Sequence, residues 1–162
     1  MPGESAPPIS RAIYGMPMFA TLLVADLAAT TSWYTDGLGF IALFSIPGSG
    51  APVLVHLRRW QFQDLLVRPA PEPIAGGTGL TLSFAAAHDE LDALAARARG
   101  HGGGQVDGPS DTPWNTRDLT TVDPDGNVVI FTAARPPDQR DPVFTEQMQR
   151  WSAEQGLEAG SP

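Results

Sequence analysis

The sequence predicts an α+β fold in which a unit of one strand, one helix and three further strands occurs twice. Short runs rich in Val, Ile, Leu and Phe alternate with turn residues, which is typical of strands. One stretch in each half carries apolar residues at helical spacing. A connection rich in proline and glycine, 69–77, separates the two halves, and the same order of elements restarts after it.

In the first half, residues 16–24 are predicted to form strand one. Asp26 is the predicted N-cap of the first helix, because its side chain can accept a hydrogen bond from an unpaired amide of the first turn. Gly37 and Gly39 are expected to end this helix, since glycine adopts the conformation that closes one. Trp33 and Tyr34 on the helix are predicted to be structural. Three strands follow, at 40–46, 52–57 and 61–67.

The second half repeats this order and ends in a well-marked hairpin. A strand at 80–85 precedes a helix at 89–99, for which Gly100 is the expected stop. The motif D-P-D-G-N at 123–127 is a turn, since proline presets one dihedral angle and glycine accepts the left-handed conformation. The remaining strands are predicted near 105–107 and at 117–122 and 127–132.

Both ends of the chain differ in composition from its middle. Residues 1–15, rich in Pro, Gly and Ser, are predicted to be a flexible segment. Residues 16–134 form the predicted domain, with repeat one at 16–68 and repeat two at 78–134. Residues 135–162 are an extension with one amphipathic helix at 143–155, which carries Phe144, Met148 and Trp151 at helical spacing.

The composition excludes several classes of function. A net charge of −8 argues against a nucleic-acid partner, because such proteins need a basic surface. The absence of cysteine excludes disulfides, thiol catalysis and cysteine-ligated metals. No apolar run approaches the length of a membrane span, and the N-terminus lacks the apolar segment of a signal peptide. We therefore expect a cytoplasmic protein with no nucleic-acid and no membrane partner.

Two separate motifs carry a resemblance to a known family. The strand–helix opening L-L-V-A-D-L at 22–27, followed by W-Y at 33–34 and L-G-F at 38–40, is similar to that of the vicinal oxygen chelate superfamily. The D-P-D-G-N hairpin resembles the last hairpin of the same family, which includes glyoxalase I, extradiol dioxygenases and the fosfomycin and bleomycin resistance proteins. The likeness covers roughly 17–134. It implies that the two repeats form curved mixed sheets around a cleft.

The resemblance also implies where a metal would bind. Members of the family that do chemistry hold a divalent ion through His, Glu or Gln on four strands. The matching positions here are Phe19, Asp64, Thr81 and Ile130. Phenyl and alkyl groups cannot donate to a metal, and one carboxylate is too few for a catalytic site. The sequence therefore predicts no metal, no cofactor and no catalytic residue. The three histidines fall elsewhere, and His88 and His101 are expected to be surface residues.

The strands that would have held the metal are predicted to line a ligand-binding cleft. Alternate residues of a strand share one face, so the residues in step with the four positions point into the cleft. An apolar, aromatic cleft with few polar groups describes a small-molecule site, and it describes a packed core equally well. The predicted ligand-binding residues are Phe19, Thr21, Trp60, Phe62, Asp64, Thr81, Ser83, Trp114, Val128 and Ile130.

Trp114 is included in this set because it lies on a polar loop, 110–118. A large apolar side chain on such a loop indicates a contact with a ligand or with the rest of the protein. The pattern P-W-x-x-R-D before D-P-D-G resembles the metal-free bleomycin resistance branch, whose members are homodimers that hold an antibiotic between subunits without altering it. The alternative is that Trp114 packs over the cleft mouth while Arg117 pairs with Asp118 or Asp123.

These observations favour a metal-free homodimeric binding protein that sequesters a hydrophobic or aromatic small molecule, as an antibiotic resistance protein does. A second hypothesis is a metal-independent enzyme of lyase or isomerase type on the same fold, with Asp64 as general base. A third is a structural or regulatory dimer with a filled core. The fold alone does not separate these hypotheses, since function depends on the site.

Overall fold

The computed structural model describes residues 6–16, 18–73 and 80–156. Within these residues the chain forms eight strands and three α-helices. The strands are β1 (Ala20–Val24), β2 (Ile41–Ile46), β3 (Leu54–Arg58), β4 (Asp64–Pro69), β5 (Thr81–Ala85), β6 (Gln105–Asp111), β7 (Thr116–Val122) and β8 (Val128–Ala134). The helices are α1 (Leu27–Ser32), α2 (Leu91–His101) and α3 (Pro142–Gln155).

The strands form two four-stranded sheets with the same internal order. The first sheet has the order β1-β4-β3-β2 and the second has the order β5-β8-β7-β6. In each sheet the first pair is parallel and the other two pairs are antiparallel. Ala20 lies opposite Leu65 in the first parallel pair, and Thr81 lies opposite Val128 in the second. The predicted α+β fold of two βαβββ repeats with mixed sheets is thus confirmed.

The two repeats share one apolar core. On β1, Leu22 and Val24 are buried while Thr21 and Leu23 are exposed, as the period of a strand with one covered face requires. Aromatic rings connect the two repeats. The Phe40 ring of repeat one packs edge to face against two rings of repeat two, with centroid distances of 5.8 Å to Phe84 and 6.4 Å to Phe131.

The first helix begins and ends close to the predicted residues. The Asp26 side chain accepts a hydrogen bond from the Ala29 amide at 2.9 Å, so the predicted N-cap is confirmed. After Ser32 the helix widens into a π-helical turn, Trp33–Gly37. Trp33 and Tyr34 lie in this turn and are fully buried, which confirms the structural role predicted for them.

Three predicted boundaries are wrong. Helix α2 continues through Gly100 to His101, because the glycine with positive φ that ends it is Gly102, at 73°. Strand β6 runs past 107 to Asp111, with an irregular register at Gly108–Pro109 that lets pairing with β7 resume. Strand β4 begins at Asp64, because residues 59–62 form the turn from β3.

The two sequence motifs that define the fold contact each other. Asp125 in the D-P-D-G turn accepts hydrogen bonds from the Ala25 amide at 2.7 Å and from Thr30 Oγ1 at 2.8 Å. Asp123 Oδ2 in the same turn accepts a hydrogen bond from the Tyr34 hydroxyl at 3.0 Å. Through its other oxygen Asp123 also accepts the amides of Asp125 and Asn127, which fixes the turn. The last hairpin of repeat two thereby stabilises the first helix of repeat one.

The buried contact between Tyr34 and Asp123 predicts a specific pH dependence. Burial raises the pKa of Tyr34 well above its ordinary value, and the negative charge of Asp123 raises it further. The folded protein therefore keeps this phenol neutral, and its contribution is fully present below the unfolded pKa of about 10. As the pH rises above that value the unfolded state ionises first, so stability falls by about 1.4 kcal/mol per pH unit from this group.

Tyr34→Phe isolates this effect. We expect it to cost about 1.5–3 kcal/mol at neutral pH, because a buried carboxylate loses one hydrogen-bond donor. The difference between wild type and variant should shrink above about pH 10. Urea unfolding from pH 8 to 11 measures it, and parallel alkaline curves for the two proteins would contradict the assignment.

The side chain of Asn115 anchors the C-terminal helix to the second sheet. Asn115, in the turn between β6 and β7, accepts a hydrogen bond from the Asp141 amide at 2.7 Å and donates one to Thr145 Oγ1 at 3.0 Å. Asp141 is the N-cap of α3. Met148 and Trp151 on this helix are about half exposed. No helix in the described ranges is both long and apolar enough to span a bilayer.

Candidate functional site

An open cleft of about 330 Å³ lies between the edge strands of the two sheets. Its walls are the start of β1, the end of the turn before β4, and β5. Half of the predicted ligand-binding residues line it: Phe19, Phe62, Asp64, Thr81 and Ser83. Met18, Leu80 and Phe84 add further apolar surface. The cleft therefore brings together residues from both repeats, as predicted from strand alternation.

Three other predicted residues lie on the same sheet faces but outside the cleft lining. Val128 and Ile130 on β8 pair with Thr81 and Ser83, so they lie one strand away on the same face. Thr21 follows Phe19 by two residues on β1 and is exposed. These positions extend the surface of the cleft along both sheets.

Trp60 lies in a different place from the one predicted. The prediction assumed that β4 begins at residue 61, so that residue 60 would stay in step with Asp64. The strand begins only at Asp64, and the preceding turn carries Trp60 away from the cleft. Its ring lies 4.6 Å from the Arg59 guanidinium carbon and lines a separate groove with Leu38 and Arg97.

Trp114 also lies away from the cleft. The predicted loop is mostly strand, and Trp114 occupies the tight turn between β6 and β7, where it is 55% exposed. Its neighbour Asn115 has a positive φ of 65° and anchors α3. The expected partner of Arg117 is corrected as well, since Arg117 pairs with Asp92 of α2 at 2.9 and 3.1 Å. Asp118 instead accepts a hydrogen bond from Thr132.

Asp64 is the most constrained polar residue of the cleft. It is 2% exposed, and its Oδ1 accepts hydrogen bonds from His56 Nε2 and from Arg58 Nε, both at 2.7 Å. Its Oδ2 accepts the hydroxyl hydrogen of Tyr14 at 2.9 Å. Arg58 lies directly opposite Asp64 in the pairing of β3 with β4. Both carboxylate oxygens are therefore engaged by donors of this chain.

The N-terminal segment supplies part of this network. Arg58 Nη1 donates to the carbonyl oxygens of Ser10 at 3.1 Å and Ala12 at 2.6 Å. The Tyr14 ring lies over the Arg58 guanidinium at 4.0 Å, a cation–π distance, and its hydroxyl oxygen accepts the Phe62 amide at 2.8 Å. Residues 10–14, expected to belong to a flexible segment, thus have fixed partners on the first sheet.

Sequence reasoning missed His56, Arg58 and Tyr14 as residues of this site. The H-L-R pattern at 56–58 places His56 and Arg58 two residues apart, hence on one face of β3, and that signal was available. The contribution of Tyr14 had no local signal, because its partner Asp64 is 50 residues further along the chain.

Arg59 links the turn before β4 to the end of β5, next to the cleft. Its guanidinium donates to the Ala85 carbonyl at 2.8 Å and to Gln63 Oε1 at 3.1 Å, and it pairs with Glu90. Burial lowers the pKa of Arg59 from its ordinary value, and the charge of Glu90 opposes that shift. Gln63 also donates to the Ala85 carbonyl at 2.9 Å. The turn before β4 is thereby fixed to the end of β5.

The outer face of the first sheet is unusually apolar for an exposed surface. Phe19, Leu23, Phe44 and Ile46 are each between 42% and 47% exposed. The Phe44 ring meets the His56 ring edge to face at 5.0 Å between centroids. These residues lie at β1 and on β2, the two edge strands of the sheet, with β4 and β3 between them, and exposed apolar side chains of this size mark a candidate binding region.

The fold and the cleft define a class of protein: paired βαβββ modules that enclose a site between their edge strands. The chain belongs to the Glyoxalase/Bleomycin resistance protein/Dioxygenase superfamily, whose family model matches residues 17–131. A comparison with curated proteins finds no match. This family assignment agrees with the resemblance predicted from the two motifs.

Several solved structures have the same fold. The crystal structure of TnmS3, an antibiotic binding protein from Streptomyces sp. CB03234, is 28% identical with a TM-score of 0.53, covering 76% of this chain and 98% of that chain. A glyoxalase/bleomycin resistance protein from the same Streptomyces is 26% identical with a TM-score of 0.50, covering 72% and 97%. TioX from Micromonospora sp. ML1 is 24% identical with a TM-score of 0.60, covering 74% and 99%.

The residues at the four positions that the resemblance assigns to a metal do not fit a metal ion. Phe19 and Ile130 have no donor atom, and a neutral threonine hydroxyl such as that of Thr81 is a poor ligand. Both oxygens of Asp64 already accept hydrogen bonds. In the ranges that the structure describes, no three His, Asp or Glu side chains gather in a way that could hold an ion.

Proposed function

We propose that the protein binds a hydrophobic or aromatic small molecule, of the kind represented by antibiotics, in the cleft between β1 and β5 and sequesters it unchanged, without a metal. The observation that carries this proposal is the composition of the cleft. Phe19 and Phe62 are 47% and 52% exposed beside it, where they can stack on a planar ligand. Thr81 and Ser83 offer hydroxyl groups on the opposite wall.

The family relationship supports the same class of ligand. TnmS3, which binds an antibiotic, shares the fold at 28% identity over nearly its whole length. The cleft volume of about 330 Å³ is at the lower end of the range for sites that bury a drug-sized molecule. A ligand larger than the cleft would extend over the apolar outer face of the first sheet.

We further propose that the protein is a homodimer in which a second copy covers that outer face. Leu23, Phe44 and Ile46 are each about 42–45% exposed there, and such a surface loses unfavourable contact with water on association. The ligand would then lie between the open cleft of one copy and the other copy.

Two alternatives have less support. An enzyme with Asp64 as general base needs a carboxylate oxygen free to take a proton, but in the ligand-free chain both oxygens accept hydrogen bonds, Oδ1 from His56 and Arg58 and Oδ2 from Tyr14. A structural dimer with a filled core is disfavoured by the open volume between β1 and β5.

Native mass spectrometry against a panel of aromatic antibiotics tests this proposal. We expect a dimer that carries a ligand of unaltered mass. Phe19→Ala should weaken binding roughly tenfold to a hundredfold, the range for an aromatic anchor of a binding site. Trp114→Ala is the matched control, because Trp114 is similarly exposed, at 55%, and does not line the cleft.

A different result would contradict each of the three parts of the proposal, namely binding without chemical change, the location of the site and the dimer. A ligand recovered with a changed mass would indicate an enzyme. Equal losses of affinity in the Phe19 and Trp114 variants would place the site elsewhere. A monomer at tens of micromolar, a concentration about where specific interfaces of ordinary size are formed, would contradict the dimer.

A further inference from the structure

Tyr14 makes four directed contacts where the N-terminal segment meets the cleft. Its hydroxyl group donates to Asp64 Oδ2 at 2.9 Å and accepts the Phe62 amide hydrogen at 2.8 Å. Its ring lies over the Arg58 guanidinium at 4.0 Å and meets the Phe62 ring edge to face at 5.1 Å. Every part of the phenol is thus recognised by a group of the first sheet or of the turn before β4.

These contacts are specific for a phenol. The carboxylate requires a donor, the backbone amide requires an acceptor, and a hydroxyl group on a ring is both at once. The guanidinium below requires the electron-rich face of an aromatic ring. A plain aromatic ring would satisfy the stacking but leave the amide and one carboxylate oxygen without this partner.

The contacts adjoin the cleft, because two of the residues that Tyr14 contacts, Phe62 and Asp64, also line it. We propose that Tyr14 occupies a phenol subsite of the cleft, and that the natural ligand carries a phenolic ring which displaces Tyr14 and takes over its contacts. This inference rests on the proposed binding function and narrows the ligand to hydroxylated planar aromatic compounds. The N-terminal segment then acts as an intramolecular competitor of the ligand.

The contacts of Arg58 restrict the chemical class of the ligand further. The side chain is fully buried, its Nη1 is held by the Ser10 and Ala12 carbonyls, and its Nη2 is buried with no hydrogen-bond partner among the described residues. When the segment leaves, Nη1 loses those acceptors too. A ligand that replaces the segment covers the guanidinium again, and a covered guanidinium without acceptors is costly, so a ligand with a carbonyl or second hydroxyl oxygen besides the phenol is favoured.

The N-terminal segment, residues 10–14, has features that would allow a ligand to displace it. Residues 10–14 form no helix or strand, and Ile13 is 79% exposed beside Tyr14. Arg11 is also exposed and provides a trypsin site within the segment. Release of Tyr14 therefore leaves the sheets unchanged while it makes the chain at Arg11 easier to cleave.

The test uses 7-hydroxycoumarin, a planar phenol with a carbonyl acceptor, and coumarin, the same ring system without the hydroxyl group. We expect the phenol to bind wild-type protein at least about tenfold more tightly than coumarin, since it alone replaces the charge-assisted hydrogen bond to Asp64. Tyr14→Ala should bind 7-hydroxycoumarin about ten- to a hundredfold more tightly than wild type, because the competitor is removed. The affinity of Tyr14→Phe for 7-hydroxycoumarin should lie between those of wild type and Tyr14→Ala. Thermal melts check that each variant is folded.

Limited proteolysis locates the effect. Saturating 7-hydroxycoumarin should speed tryptic cleavage after Arg11 in wild type, and coumarin should not. If the two probes bind equally and cleavage after Arg11 is unchanged, the phenol subsite is wrong even though cleft binding stands. Binding of a panel antibiotic that depends on Phe19 but is unaffected by Tyr14→Ala would likewise overturn the subsite alone. Loss of all ligand binding in every variant would overturn the proposed function itself.

Discussion

Trp33→Ala should lower the free energy of unfolding by about 3–5 kcal/mol, the range for truncation of a fully buried aromatic side chain. Trp33 is fully buried in the π-helical turn after α1. Its ring fits so closely against Gly104 that a Cβ atom there would lie 2.6 Å from it. The surrounding strands and α2 cannot collapse into the space that the indole leaves, because interiors are close-packed.

Trp114→Ala is the matched control for this prediction. It removes the same side chain from an exposed turn, where truncation leaves little cavity, so a change within about 0.5 kcal/mol is expected. Urea unfolding of both variants measures the difference. Equal losses of stability would mean that the burial of Trp33 does not determine its contribution.

Asp64→Asn should cost about 3–5 kcal/mol, because it leaves the fully buried Arg58 guanidinium without its counter-charge. The variant keeps the size of the side chain, so the loss reports on charge and hydrogen bonding rather than on packing. The exposed pair of Asp92 with Arg117 provides the comparison. Asp92→Asn should change stability by about 1 kcal/mol or less, since exposed ion pairs contribute little.

The double variant Asp64→Asn with Arg58→Met separates the two sources of that loss. If the cost comes from an uncompensated charge, removing the arginine as well should restore part of the stability. Chemical unfolding of the single and double variants gives the coupling free energy between the two sites. Strictly additive losses would show that Asp64 and Arg58 contribute independently.

The fold could be predicted because the sequence motifs that specify it are short, and because two of them contact each other in the folded chain. The N-cap Asp26, the D-P-D-G turn and the alternation on β1, β5 and β8 each follow from a few neighbouring residues. The two diagnostic motifs contact each other through Asp125, which bonds to the Ala25 amide across 100 positions of sequence. A family model that matches 17–131 spans both motifs.

The cleft lining could be predicted in part, and most of the residues placed correctly lie on or next to regular strands. Alternation placed Thr81 and Ser83 on the cleft because they lie within β5, and it placed Phe19 there because that residue directly precedes β1. It failed for Trp60, where the chain leaves β3 in a turn and the period is lost. The third donor to Asp64, Tyr14, lies outside both repeats, and no local pattern encodes a contact of that kind.

The hydrogen bonds between the two motifs also determine how the chain can be divided. Severed at 69–77, the first half would keep its sheet, yet the buried Tyr34 hydroxyl would lose Asp123 as its acceptor. The second half would keep its hairpin, and Phe131 would lose the ring of Phe40 that covers it. Each repeat is therefore recognisable in the order of its elements, but it is not expected to be stable on its own. Each half lacks the group that the other half supplies, so the two separated halves would meet those needs only by pairing with each other.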